Sequence, residues 1–192
     1  MKRDRGPKGT PAQPAPCLSR FMMSKKVTSL WRPFVSVIEE LPKDVSKEDY
    51  LLTIAGWINE HSVELGPNVM ARWALDSFAA LNPMDYPLVE SDVNVAEELA
   101  TLRRPREISR DRLGAILHNQ FWGLITLKTE RPCPSCGEDD LRALLAVSEP
   151  CEIVFACGFC GFAVDRKGRP IGAGATLRPA TVAELRDGGV LG

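Results

Sequence analysis

The stretch "CPSCGEDDLRALLAVSEPCEIVFACGFCG" limits how this 192-residue chain can fold more than any other. It holds two Cys-x-x-Cys pairs, Cys133/Cys136 and Cys157/Cys160, with 20 residues between them and a glycine directly after each pair. Two cysteines at this spacing lie on one tight turn and direct both sulfurs at a single point. Glycine next in line lets the backbone pass through positive φ and aim amide N–H groups back at the sulfurs. The separation of the pairs matches the spacing template of a zinc site. The chain between them is long enough for two strands and a turn, which brings the second pair beside the first.

Four thiolates satisfy Zn²⁺ as a tetrahedron at about 2.3 Å and close its coordination shell. One structural Zn²⁺ per chain, held by Cys133, Cys136, Cys157 and Cys160, is therefore the expected cofactor. An iron ion on the same four sulfurs stays open. A redox dithiol needs a low-pKa thiol at a helix N-terminus, whereas these pairs flank strand-like segments. A catalytic zinc keeps a position for water and commonly uses His or carboxylate. The chain has only His61 and His118, neither in a metal-binding motif.

"CPSCG" and "CGFCG" resemble the two knuckles of the zinc-ribbon superfamily, over about residues 127–166. The resemblance implies a small β-sheet unit with the four cysteines as ligands at one end. It is nearly silent on function, because ribbons occur in transcription factors, ribosomal proteins, enzymes and adaptors.

Upstream, the texture is helical. "SKEDYLLTIAGWINEH" has Ser46 as N-cap, Asp49 in the capping-box place, and Tyr50, Leu51, Ile54, Trp57 and Ile58 on one face. Pro67 opens "PNVMARWALDSFAAL", read as one helix that forms a hairpin with the first. Asn94 caps "NVAEELATL", with Glu97 in the reciprocal place, and Ser109 caps "SRDRLGAILHNQFWGL". After Gly123, "LITLKT" (124–129), "CEIVFAC" (151–157) and "GFAVD" (161–165) read as strands, and "DDLRALLAV" as a strand or a short helix. The fold class expected is α+β: a disordered basic arm (1–26), a helical body of four or five helices (27–122), a zinc ribbon (123–170) and a flexible tail (171–192). Met22 and Met23 also offer a later start of translation. The tryptophans at 31, 57, 73 and 122 read as core by default, and for Trp31, near Pro33, partial exposure stays open. Cys151 reads as a buried apolar filler.

Net charge is −1, unevenly spread: +6 over residues 1–26, −9 over 27–102, +4 over 103–132 and −2 over 133–192. Global binding to a polyanion is excluded, while local basic segments remain candidates. No apolar run approaches the roughly 18 residues of a membrane span, and the basic arm lacks the apolar core of a secretory signal. The expectation is a cytoplasmic protein with no membrane partner.

No G-x-S-x-G, Walker loop, H-E-x-x-H or dinucleotide turn is present, and no acid, base and nucleophile converge in sequence. The reading leans away from an enzyme and towards an adaptor, regulatory or immunity-type protein that recognises a protein partner, its acidic body suiting a basic one. The alternative is a nucleic-acid-binding regulator. Residues 94–118 resemble a helix-turn-helix, with Arg110 and Arg112 early in the second helix and Arg103, Arg104 and Arg106 in the connection. That connection is longer than the usual turn and contains a proline.

Overall fold

Apolar side chains at helical spacing build the first part of the chain, and β-branched and small apolar residues build the second. The computed structural model describes residues 30–88, 91, 93–103, 108–147, 150–172 and 174–192. Arg104 and Arg106 lie outside the described residues, as does the basic arm 1–26. The fold is α+β.

Helices α1 (Trp31–Glu40), α2 (Lys47–Glu60), α3 (Ser62–Leu65), α4 (Pro67–Arg72), α5 (Leu75–Ala79), α6 (Val95–Leu102) and α7 (Arg110–Ile125) form the body. The expected caps are in place. Ser46 Oγ accepts from the Asp49 amide at 3.0 Å, Asn94 Oδ1 from the Ala96 amide at 3.1 Å, and Ser109 Oγ from the Arg112 amide at 3.2 Å. Their apolar faces meet in one core that includes Phe34, Tyr50, Leu51, Leu75, Leu113 and Phe121. Trp31 is buried, in line with the core reading, and packed against Phe34 with ring centroids 5.9 Å apart. A polar chain crosses this core: the Tyr50 phenol donates to Gln120 Oε1 at 2.6 Å, and the Gln120 amide donates to Glu98 Oε2 at 3.0 Å. It ties α2, α7 and α6 together through groups whose hydrogen bonds are satisfied.

The body has more, shorter helices than the periodicity suggests. "PNVMARWALDSFAAL" breaks at Trp73–Ala74, where Ala74 takes φ 51° and starts α5 in a new direction. The left-handed conformation costs a residue with a Cβ about 1 kcal/mol. The break places Trp73 against α7, where its indole N–H donates to Asp111 Oδ1 at 3.1 Å and its carbonyl meets His118 Nδ1 at 3.0 Å. The close approach requires a glycine on α7: a Cβ at Gly114 would stand 2.5 Å from Trp73 Cδ1.

Helix α7 runs to Ile125, and the sheet follows: β1 (Leu127–Pro132), β2 (Asp140–Ala146), β3 (Glu152–Cys157), β4 (Ala163–Val164) and β5 (Leu177–Pro179). The order is β1-β2-β3-β4, all antiparallel, with β5 pairing β2 beyond the end of β1. "DDLRALLAV" is strand β2. Both faces of β2 and β3 are covered, so their sequence runs apolar without alternation and its period is uninformative. One face carries Leu127, Ala143 and Phe155 in register, with Leu185 over them. The other carries Leu144, Ala146, Val154 and Ala156 under Trp122, which also packs on the helical core and joins the two regions.

Residues 171–192, expected as a flexible tail with at most one helical turn near "TVAELR", contribute strand β5 and helix α8 (Val182–Asp187). The Thr181 hydroxyl accepts from the Glu184 amide at 3.3 Å while Glu184 Oε2 accepts from the Thr181 amide at 2.8 Å, a reciprocal capping box. Leu185 is fully buried on the sheet, and apolar burial of that size holds a short helix that could not persist alone. The sheet unit therefore reaches to the end of α8 rather than to residue 170. Among the described residues, no helix is long and apolar enough to cross a membrane.

Candidate metal centre

Strand β1 delivers the chain to Cys133 at one end of the sheet, and β3 ends on Cys157 at the same end, because Cys157 pairs with Leu141 at the start of β2. Each strand then enters the same kind of turn. The Gly137 amide donates to the Cys133 carbonyl at 2.9 Å, and the Gly161 amide to the Cys157 carbonyl at 3.1 Å. Gly137 and Gly161 have φ 68° and 72°, a conformation in which a Cβ would be strained. The Cys133 amide donates to Asp139 O at 2.9 Å and the Cys157 amide to Phe162 O at 2.8 Å, closing both turns. Lys128 Nζ lies 3.7 Å from Asp139 and 3.8 Å from Asp140, bracing the first turn against β1.

The two turns bring the four sulfurs within 4.8 Å of one another. Cys133 Sγ is 3.6 Å from Cys160 Sγ, and Cys136 Sγ is 3.7 Å from Cys157 Sγ. A tetrahedron of thiolates around an ion at 2.3 Å has an edge of about 3.8 Å, so the donor set fits a metal ion of this size. A disulfide would need about 2.05 Å, and all four cysteines are free. Cys133 and Cys157 are buried, Cys136 is half-buried and Cys160 is exposed, so the cluster sits just under the surface.

The environment divides the thiols. Burial pushes Cys133 up, but the amides of Cys136 and Ser135, with the Cys160 and Cys136 thiols, more than offset it and hold it at about 7. At Cys136 the Glu138 amide lowers the pKa, while burial and the neighbouring sulfurs of Cys160, Cys133 and Cys157 outweigh it and push it up to about 12. The sulfurs compete because adjacent negative charges repel; a cation among them removes the conflict and lets all four ionise. Neither turn starts a helix, so the helix-terminus device that activates redox dithiols is missing here. With four thiolates and no histidine in the cluster, the shell is closed, and a bound ion there would be structural.

The remaining candidates are dispersed. The Arg103 guanidinium turns back on the body, with Nη2 3.4 Å from the Ile38 carbonyl. Arg110 and Arg112 are exposed at the start of α7. His118 lies among Trp73, Phe78 and Trp122, and His61 against Trp57; neither belongs to the cysteine cluster. Cys151 is exposed rather than buried: it lies just before β3, where the chain has not yet entered the sheet. Sequence reasoning passed over Phe159, which stands 72% exposed between the cysteines of the second turn. Its position inside Cys-x-x-Cys was the available signal, since such turns point their middle residues outwards.

Comparisons with protein-family models, curated proteins and solved structures return no match to this chain. The cysteine cluster on a small antiparallel sheet is compatible with a zinc ribbon.

Proposed function

We propose that the protein is a non-enzymatic, zinc-stabilised binding protein, of adaptor, regulatory or immunity type, in which a zinc ribbon fixes the shape of a surface that recognises a basic protein partner. The observation that carries the reading is the closed set of four sulfurs with edges of 3.6 and 3.7 Å, which suits an ion that holds the fold and leaves no place for a reacting water. Function then falls to the surface. On the body, Glu39, Glu40, Asp44, Glu60, Glu64 and Asp76 are exposed, with no ion-pair partner among the described residues. Val63 stands 87% exposed beside Glu60 and Glu64, an apolar anchor within an acidic surround. That combination favours a partner with basic groups around an apolar socket, steered by charge and held by desolvated contact.

The test is a pull-down with the metal-loaded chain, reading protein and nucleic acid separately. A defined basic protein whose capture falls when Glu60, Val63 and Glu64 are changed together supports the reading. Capture that ignores those changes contradicts it. The exposure of Arg110 and Arg112 supports the second reading, a nucleic-acid-binding regulator. That reading requires nucleic acid binding that weakens steeply with salt and drops in Arg110→Ala.

A further inference from the structure

A cleft of about 690 Å³ opens on the α8 side of the sheet, between β1, Phe155 and the last turn of the chain, away from the acidic body. Its apolar lining is the half-buried Val190 and Leu191, beside Leu127 and Phe155, which are buried in the core beneath. Its rim carries Lys128, Arg131 and Arg166 with Glu130, and Arg166 also borders the adjoining cleft, which Glu152, Glu184 and Asp187 line. Lys128 is engaged with Asp139 and Asp140. Arg131 and Arg166 have no carboxylate partner among the described residues, unlike Arg72, Arg169 and Arg178.

The Arg131 guanidinium is nevertheless placed. Arg131 lies over the Phe155 ring, 4.8 Å from its centroid, which positions the cation without using its N–H edge. Arg166 lies near Gly189, whose φ of 63° disfavours a side chain; a Cβ there would stand 3.4 Å from Nη2, an ordinary contact distance. Guanidinium forks match tetrahedral and planar oxyanions with paired N–H donors, and two of them favour a doubly charged group. The cleft is much larger than one such group and lies within the size range of small-molecule sites.

We propose that this cleft binds a small phosphomonoester, with the phosphate between Arg131 and Arg166 and the organic part against Val190 and Leu191. The site is independent of partner recognition by the body.

The probe is phenyl phosphate, titrated into the full metal-loaded chain by calorimetry and by amide chemical shifts, with inorganic phosphate and phenol as its two halves. Saturable binding of phenyl phosphate is expected, with weaker binding of inorganic phosphate and none of phenol. Arg166→Gln and Arg131→Gln should each weaken it about tenfold, the scale of one charged hydrogen-bonding partner. Arg186→Gln, whose arginine faces a different cleft with Val182, should change nothing. Arg166→Gln carries the decision if Arg131→Gln, which uncovers Phe155, loses its metal or its native amide spectrum. The proposal is overturned by absence of saturable binding, by equal affinity for inorganic and phenyl phosphate, by unchanged affinity in Arg166→Gln, or by an equal loss in Arg186→Gln.

Discussion

The helical body and the cysteine-bearing sheet reach a defined fold by different means. The body brings large side chains together: Trp31, Phe34, Tyr50, Trp57, Phe78 and Phe121 share one core. The sheet divides its apolar residues between two faces, and they are mostly alanine, leucine, valine and cysteine, with Phe155 the large buried ring. A unit of that size with so thin a core is marginal by burial alone. It compensates at its open end, where the two turns place four sulfurs around one point. The comparison teaches that burial and ligation are alternative ways of constraining a chain, and that they should fail separately.

Removing a ligand is expected to give the largest effect. Structural zinc contributes on the order of 10–16 kcal/mol in comparable sites. Cys157→Ser should abolish stoichiometric metal binding and unfold the sheet, while the amide resonances of α2 and α7 persist. Loss of both regions together would break the distinction. The counterpart in the body is Phe34→Ala, which deletes a fully buried ring and should cost about 3–5 kcal/mol in urea unfolding of the helices. Metal content should stay at one per chain below the urea midpoint.

A smaller effect tests how α8 is held to the sheet. The Arg178 guanidinium binds the Glu184 carboxylate in a two-bond pair and holds it below the usual carboxylate range; burial opposes this, and Thr181 adds to it. A pKa lowered in the folded state gives stability above the unfolded value, about 4.3, that is lost as pH falls through the folded value. The pair is partly exposed, so Glu184→Gln should cost no more than about 1 kcal/mol at pH 7. The gap from the parent protein should narrow in thermal melts as pH falls below about 4.3, the unfolded value. The smallest change has the opposite sign. Ala74→Gly relieves φ 51° at the α4–α5 break and should stabilise the body by about 0.5 kcal/mol, after the added freedom of the unfolded chain is discounted.

The cysteine cluster was legible because it is local. Each turn is specified by five consecutive residues, and the glycines at 137 and 161 adopt the positive φ that their place implied. The caps at Ser46, Asn94 and Ser109 were legible for the same reason. The break at Ala74 was not, since alanine carries no left-handed signal and the conformation is imposed by Trp73 docking on Gly114 of α7. Strand β5 depends on pairing with Leu144–Ala146, more than thirty positions away, which no local pattern encodes. Helix α8 did announce itself, in Thr181 and Glu184 at capping-box spacing, but its glycine-rich surroundings outweighed that signal. The exposure of Val63 is written in no motif, because it arises only once the rest has folded.

The central claim, that a structural metal holds the sheet and burial holds the body, is tested most directly by amide hydrogen exchange on the native chain before and after chelation, with metal content measured on the same sample. The account predicts one metal per chain, and after chelation a loss of protection in β1 to β4 with protection in α2 and α7 retained. No bound metal in anaerobically purified protein, or a sheet as protected after chelation as before it, would contradict the account.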